Sequence, residues 1–454
     1  MGAKARVIPG FLDRVLAAEA APGSTVVDLM SGTGVVAAYC ARNYRVFTND
    51  VQHYSQVIAS SLIEHDPRTK GRFLRSVDLK KDLHEVYEAN RLTLDRRYSR
   101  ELAAEEALLE RYRTGDSDID WCRDYRSFLR DTVRLEEDAT PSSEIYDADL
   151  MAQYRDQPHR RPACLVTNYY ANVYFGLRQA IALDSLHAAI DDLVAADPFA
   201  ERKRVHYLSA LIHAASVSTS GTSHFAQPRH WRKDRELRAM AQRRCLDIWD
   251  VFEEYSAEIL ATVESIPYRQ GNRAYAGDYR DRLAPPEWPD NPAQSPHFAF
   301  ASTPDLIYLD PPYTADNYSR FYHLLEVLVR YDYPPFATNG RGRLVRGRYP
   351  AIVERFQSGF CSAQKVEEEF RQVLSAAAAT GSKLVISYAA PTGLLLKQYV
   401  RQDPHADPLK RFRALCKEAY RRASVKRRAM MHSGQGDSNL KIEELLLVCS
   451  EPRV

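Results

Sequence analysis

The sequence predicts an α/β fold in which a parallel sheet is interrupted by a long, mainly helical insertion. Three observations lead to this prediction: a strand, a glycine turn and a helix follow one another near the N-terminus, strand-type sequence returns only after residue 305, and the residues between are rich in helix formers. Alternation of strands and helices is typical of parallel sheets with helices on their faces. The 454-residue length also exceeds that of one ordinary hydrophobic core, as a domain with an insertion requires.

The first βαβ unit lies within the first fifty residues. Thr25–Val27 predicts a short buried strand, Ser31–Gly34 a glycine turn and Val35–Cys40 the start of a helix. Arg45–Phe47 predicts the second strand, which Thr48–Asp50 closes. This order predicts a glycine turn at the carboxyl edge of the sheet.

The insertion is predicted over residues 71–265. Leu79–Glu137 is rich in Glu, Arg, Leu and Ala and lacks proline, which is a helical composition. Further helical segments occupy Ala163–Trp249, and Ser216–Ser223 separates them because it breaks the helical periodicity.

Strand-type sequence returns in the last third of the chain. The predicted strands are Leu306–Leu309, Lys383–Ser387 and Glu444–Cys449. Residues 1–70 and 266–454 therefore predict a single α/β domain, into which the helical region is inserted.

Composition bounds the function classes. Hydrophobic and charged fractions of 45% and 27% are typical of a globular protein. No apolar run approaches the roughly 20 residues of a membrane span and no signal peptide is visible, which predicts a cytoplasmic protein. The seven cysteines are scattered and never spaced as metal-ligand pairs, so we expect reduced thiols and no metal. Because the net charge is only +2, any nucleic-acid partner must be argued from local clusters.

The most informative motif, Asp310-Pro311-Pro312-Tyr313, directly follows the predicted strand Leu306–Leu309. The Asp310 carboxylate and the Pro311 carbonyl make two adjacent acceptors, which can hold both hydrogens of an exocyclic amine and leave its lone pair free to attack. Tyr313 can stack on the flat base that carries the amine. Orientation alone can supply roughly 7 to 11 kcal/mol of a reaction barrier. A proline turn capped by Asp310 is the structural alternative.

The second motif is the turn after the first strand. Glycines in such a turn let the backbone approach a ligand closely, and an acidic residue that ends the next strand can accept hydrogen bonds from ribose hydroxyls. Gly32, Gly34 and Ala37 also satisfy a dinucleotide-binding pattern, so NAD binding, or a turn needed only for packing, stays open for this motif alone. The candidate residues are Asp28, Ser31, Gly32, Thr33, Gly34 and Asp50.

Together the two motifs resemble the D12 class of N6-adenine DNA methyltransferases, in which the cofactor motif precedes an inserted target-recognition region and Asp-Pro-Pro-Tyr follows. Further matching segments are Lys4–Pro9, Gly277–Tyr279, Lys383–Pro391 and His432–Leu447. The resemblance covers about residues 1–65 and 265–450 and departs from the family at Met30, where phenylalanine is frequent. It implies a Rossmann-like methyltransferase domain formed by residues 1–70 and 266–454, with residues 71–265 as the target-recognition region.

The resemblance also implies S-adenosylmethionine as the cofactor. Its methionine part would lie on Asp28 and the Ser31–Gly34 turn, its ribose on Asp50, and its adenine on Asp278 and Tyr279. Lys4 belongs to the N-terminal cofactor-side motif. No Pro-Cys nucleophile of the cytosine-C5 type is present, so no covalent intermediate is implied.

Candidates for contact with the target base lie in two segments. Thr219–Pro228 is similar to the loop that borders the base pocket in this class, and within it His224 and Phe225 are candidates to stack on a flipped base. After the catalytic motif, Tyr318 and Tyr322 are candidates to line the adenine pocket. An ordinary loop between helices and an amphipathic helix are the respective alternatives.

Double-stranded DNA is the partner that the resemblance implies. The basic clusters are Arg229, Arg232, Lys233, Arg235 and Arg238; Arg341, Arg343, Arg346 and Arg348; and Lys426, Arg427 and Arg428. Glycines interleave with the second cluster and predict a loop that lies on phosphates or enters a groove, with Arg341 and Arg343 as contact candidates. A solvated face is the alternative for each cluster.

The sequence thus predicts a site-specific DNA adenine N6-methyltransferase that acts on a flipped base. An RNA adenine methyltransferase and a catalytically silent DNA-binding module are the alternatives, while a protein-amide methyltransferase would favour Asn at position 310. The recognition sequence, and whether a cognate restriction or defence partner acts on the same DNA, are left open.

Overall fold

The structure, a computed structural model, describes residues 6–132, 164–222, 224–283, 300, 302–332, 336–342, 344–433 and 439–453. The chain divides into two compact units. The first unit comprises residues 1–71, 262–317 and 357–454, and the second comprises residues 72–261 and 318–356.

A seven-stranded sheet organises the first unit. Its strands are β1 (Thr25–Asp28), β2 (Arg45–Asp50), β3 (Arg273–Ala276), β4 (Leu306–Leu309), β5 (Lys383–Ala390), β6 (Tyr420–Ser433) and β7 (Asn439–Pro452). The order is β3-β2-β1-β4-β5-β7-β6, with β7 antiparallel to both of its neighbours and β1 to β5 parallel. This mostly parallel sheet confirms the predicted α/β class and is consistent with a Rossmann-like methyltransferase.

Burial explains which strands the sequence predicted. Every residue of β4 is fully buried, as are Val26 and Val27 of β1, because helices cover both faces of a parallel sheet. The two strands that were not predicted, β3 and β6, lie at the sheet edges. Edge strands tolerate charged side chains, and the basic cluster Lys426–Arg428 lies within β6.

The described helices are α1 (Asp13–Glu19), α2 (Val35–Cys40), α3 (His53–Ile63), α4 (Lys70–Ser76), α5 (Glu85–Arg97), α6 (Ser99–Arg113), α7 (Ile119–Thr132), α8 (Leu165–Tyr170), α9 (Leu177–Asp191), α10 (Ala200–Ser218), α11 (Asp234–Arg244), α12 (Ile248–Ser265), α13 (Tyr279–Leu283), α14 (Tyr318–Phe321), α15 (His323–Arg330), α16 (Val366–Ala379), α17 (Leu394–Gln402) and α18 (Pro408–Ala419). Short π- or 3-10-helical turns occupy Ile8–Leu12, Lys80–His84, Ile352–Glu354 and Gly359–Cys361. Within the described residues, no helix is long and apolar enough to cross a membrane.

The second unit is mainly helical. It includes one segment that the sequence predicted to be part of the catalytic domain. Residues 318–356 were predicted to belong with the catalytic domain, but they group with the second unit. The physical reason is the apolar face of α15: Leu324, Leu325 and Leu328 are buried, and α15 packs on α10.

Candidate active site

The two motifs of the sequence analysis follow neighbouring strands of the first unit. Asp28 at the end of β1 is in register with Tyr308 of β4, and the Leu29 N–H donates to the Tyr308 carbonyl over 2.9 Å. Asp310 therefore lies two residues beyond the partner of Asp28. Strand order reverses at this pair, since β2 continues on one side of β1 and β4 begins the other side. Ligands of open α/β sheets bind outside the carboxyl ends of strands at such a reversal.

The two glycines of the β1–α2 turn serve different purposes. Both have a positive φ, +51° at Gly32 and +67° at Gly34, and residues with a side chain rarely adopt such an angle. A Cβ on Gly34 would lie 3.1 Å from the Ala59 Cα, so this position is needed for packing against α3. A Cβ on Gly32 would meet nothing within 4 Å. Open space beside the Gly32 backbone is what a closely approaching ligand needs.

Asp50 fixes this turn from the end of β2. Its two carboxylate oxygens accept hydrogen bonds from the backbone N–H groups of Gly32 and Gln52, each over 2.9 Å. An acidic side chain at the end of the second strand is the type of group that accepts hydrogen bonds from ribose hydroxyls in nucleotide-binding α/β folds. Among the described residues, the Ser31 hydroxyl is buried without a hydrogen-bond partner. A buried hydroxyl and an acidic side chain beside an open backbone fit the polar parts of a nucleoside cofactor.

The end of β3 approaches the same edge. The Gly277 N–H donates to the Asp50 carbonyl over 2.9 Å, and Asn49 Nδ2 donates to the Gly277 carbonyl over 3.0 Å. Asp278, the next residue, accepts from the Arg280 guanidinium over 2.7 Å. The backbone thus brings Asp278 next to the end of β2, near the position of Asp50.

Tyr279 occupies a different environment from the one implied by the resemblance. It is only 5% exposed and belongs to the core of the first unit. Its hydroxyl donates to Glu369 over 2.8 Å, and burial together with the charge of Glu369 raises its pKa. Tyr279 thus packs in the core of the first unit through both its ring and its hydroxyl, and its contact with the cofactor adenine stays a prediction. Tyr275, half-buried two residues before Gly277, was not singled out from the sequence.

The Asp310-Pro311-Pro312-Tyr313 turn is fixed by the core beneath it. Pro311 is buried, whereas Asp310 and Tyr313 are half-buried. The Tyr313 ring packs against the core of the first unit, and its carbonyl accepts from the Leu394 N–H over 2.9 Å. A half-buried carboxylate on a rigid turn is suited to orienting a bound amine.

The second unit holds the candidates for base contact, and Phe225 is a buried one. Phe225 is 1% exposed, and its N–H donates to the Phe321 carbonyl over 2.7 Å. Its own carbonyl accepts from His323 Nε2 over 2.9 Å and from the Tyr174 hydroxyl. Phe225 therefore anchors its loop in the core of the second unit, and its stacking on a flipped base stays a prediction.

His224 and the two tyrosines differ in exposure. The His224 ring is 7% exposed and stacks on Phe321 at 4.3 Å between centroids. Tyr318 is 37% exposed, and its ring centroid lies 6.1 Å from that of the half-buried Tyr322. Tyr318 and Tyr322 accordingly present more ring surface than His224 does.

The arginines of the glycine-rich loop also divide into two groups. Arg346 donates to the Arg229 carbonyl over 3.0 Å and lies over the Trp231 ring, and Arg348 is 3% exposed and donates to the Tyr169 carbonyl. These contacts tie Arg346 and Arg348 into the packing of the second unit, and contact of this cluster with DNA stays a prediction. Arg341 is exposed. Arg343, like Lys4 of the N-terminal motif, lies outside the described residues.

Comparisons with known proteins find distant similarity to two modification enzymes. The chain is 20% identical over 365 residues to the modification methylase LlaI of Lactococcus lactis subsp. lactis, covering 80% of this chain and 42% of that protein. It is 20% identical over 401 residues to the type II methyltransferase M.FokI of Planomicrobium okeanokoites, covering 88% of this chain and 45% of that protein. The chain thus spans less than half the length of either relative. No family model and no solved structure matches it.

Proposed function

We propose that this protein is a DNA methyltransferase that transfers a methyl group from S-adenosylmethionine to the N6 amine of adenine in double-stranded DNA. The observation that carries the proposal is the adjacency of the two motifs: the glycine turn after β1 and Asp310 after β4 follow paired strands at the point where strand order reverses. The glycine turn suits a nucleoside cofactor, and the Asp310 turn suits an exocyclic amine on a planar base.

The cofactor would be held by the β1–α2 turn and by the ends of β2 and β3. Ser31 and Asp50 offer a hydroxyl and carboxylate oxygens, and Gly32 leaves the backbone open to close approach. Asp28 is only 2% exposed at the end of β1, and this burial suits a residue that supports the following turn. When bound, S-adenosylmethionine supplies an electrophilic methyl group.

Asp310 and the Pro311 carbonyl would accept the two hydrogens of the adenine amine. With both hydrogens held, the nitrogen lone pair would be left free to attack, and Asp310 would take up the proton that the amine loses. Tyr313 would stack on the base. The adenine must leave the DNA stack to reach these groups, at a cost of a few kcal/mol that stacking and phosphate contacts offset.

The two relatives support the same reaction. Both are named as methyltransferases, and the similarity covers at least 80% of this chain. One is called a modification methylase and the other a type II methyltransferase, so we extend to this chain a role in DNA modification. Adenine as the base rests on Asp310-Pro311-Pro312-Tyr313 and on the resemblance that this motif carries.

The test is long-read sequencing of genomic DNA from a methylation-deficient host that expresses the intact chain, Asp310→Ala or Asp305→Ala. Asp305 is a matched control because it precedes β4 at the opposite edge of the sheet, where it accepts a hydrogen bond from the Thr25 N–H over 2.7 Å. We expect N6-methyladenine at one short motif with the intact chain and with Asp305→Ala. We expect none with Asp310→Ala, although the purified variant should still bind S-adenosylmethionine.

Two outcomes would contradict the proposal. Methylation that persists in Asp310→Ala would remove this residue from the reaction. Absence of methylated DNA with all three proteins, while methylated adenine appears in cellular RNA, would move the substrate from DNA to RNA.

A further inference from the structure

Two arginines that are 35 positions apart in the sequence meet on one aromatic ring of the second unit. The guanidinium carbon of Arg320 lies 5.5 Å from the centroid of the Tyr349 ring, and that of Arg355 lies 5.2 Å from it. Arg320 also lies 5.5 Å from the Phe321 centroid. The rings hold both cations in defined positions, since guanidinium groups favour aromatic faces.

The charges around Arg355 are unusual for a half-buried arginine. Burial lowers its pKa, and the charge of Arg320 acts in the same direction. The neighbour that opposes this shift is Tyr349, on whose ring Arg355 lies. Among the described residues, the Arg355 Nε is buried without a hydrogen-bond partner. A guanidinium of this kind retains the capacity to bind an anion.

The segment that precedes Arg355 exposes two apolar side chains to solvent. Ile352 is 65% exposed and Val353 is 84% exposed, and both immediately precede the Glu354-Arg355 pair. Neighbouring exposed apolar residues beside a cationic group are more typical of a contact surface than of a solvated one. Duplex DNA offers both a phosphate for the arginine and sugar or base edges for the apolar side chains.

We propose that Arg320 and Arg355 together bind one phosphate of the DNA backbone. The proposal rests on the proposed function, because that function supplies the duplex. Arginine suits this task, since its planar donors match the oxygens of a phosphate in pairs. Such a contact positions the DNA without reading its sequence.

The test measures the binding of a fluorescent mixed-sequence duplex between 50 and 200 mM salt by anisotropy. The logarithm of the association constant falls linearly with the logarithm of salt concentration, by about 0.9 for each phosphate neutralised. We expect the double variant Arg320→Gln/Arg355→Gln to have a slope about 0.9 smaller in magnitude than the wild type. The control Arg123→Gln, whose exposed side chain pairs with Asp120 over 2.9 Å, should leave the slope unchanged.

A conservative variant separates a phosphate contact from a packing role. Lysine at position 355 keeps the charge but loses the planar group, so Arg320→Gln/Arg355→Lys should keep a wild-type slope while Arg320→Gln/Arg355→Gln lowers it. The phosphate site is refuted if the double variant, folded by circular dichroism, retains the wild-type slope. If the wild type itself fails to bind the duplex, the DNA substrate of the proposed function is refuted instead.

Discussion

Three glycine-to-alanine substitutions test the cofactor turn directly. Gly32, Gly34 and Gly381 all have a positive φ, between +51° and +77°. A Cβ would meet the Ala59 backbone at Gly34 but nothing within 4 Å at Gly32 or Gly381. Gly381 lies in the turn before β5, at the opposite edge of the sheet from the cofactor turn. The three variants therefore share backbone strain and differ in packing and in position.

The magnitudes follow from these differences. Left-handed backbone costs a residue with a Cβ roughly 1 to 2 kcal/mol, so Gly32→Ala and Gly381→Ala should each lower the free energy of unfolding by about that amount. Gly34→Ala should cost roughly 1 to 3 kcal/mol more, because Ala59 must move to relieve a 3.1 Å contact. If S-adenosylmethionine occupies the open space beside Gly32, the added methyl group should weaken its binding by about tenfold or more, equivalent to about 1.4 kcal/mol.

Urea unfolding followed by circular dichroism gives the stability differences, and isothermal titration with S-adenosylmethionine gives the affinities. We expect Gly32→Ala to lose affinity while it matches Gly381→Ala in stability. Equal affinity of Gly32→Ala and Gly381→Ala for S-adenosylmethionine would show that the cofactor does not lie against the Gly32 backbone.

Two further substitutions test the buried residues His323 and Tyr279. Burial lowers the pKa of His323 to about 4, from an ordinary value of 6.5. The unfolded chain therefore binds the proton more tightly, and the wild type should lose up to about 3 kcal/mol of stability as the pH falls from 6.5 towards 4. His323→Gln, which cannot take up a proton, should show a shallower loss in urea unfolding between pH 7 and 4.5, and parallel curves would contradict this. Tyr279→Phe removes a 2.8 Å bond to Glu369 and should cost about 1 to 2 kcal/mol of stability. The affinity of Tyr279→Phe for S-adenosylmethionine should stay within twofold of that of the wild type in titration. A tenfold loss of affinity would instead indicate that Tyr279 contacts the cofactor.

The central strands were predictable from the sequence because burial on both faces leaves a clear pattern. Leu306–Leu309 is a run of apolar and aromatic residues, and the structure buries all of it in β4. β3 lies at an edge and begins with the exposed Arg273, so its composition does not indicate a strand. β6 contains five lysine and arginine residues, and this local composition suggests a charged, solvent-exposed segment rather than a strand. Only pairing with β7 makes this segment a strand, and pairing is a long-range property.

The candidate site shows the same limit. Motif spacing pointed to the ends of two strands, and their pairing in the structure puts the motifs next to each other. Burial of individual side chains could not be derived in this way, since Phe225 and Tyr279 stand in polar local sequence and yet lie in cores. The Arg320 and Arg355 pair was missed because no local pattern links residues 35 positions apart.

Counting arginines in sequence overstates the charge available to DNA, and the partners of each arginine decide the matter. In the cluster that begins at Arg229, Glu236 neutralises Arg229 over 2.9 Å, and Arg238 donates to the Ser117 carbonyl over 2.7 Å. Arg346 and Arg348 each donate a hydrogen bond to a backbone carbonyl within the second unit. Arg355 stacks on the Tyr349 ring, and among the described residues its buried Nε has no hydrogen-bond partner, so in a chain with a net charge of only +2 this arginine matters more for binding an anion than the longest basic run does.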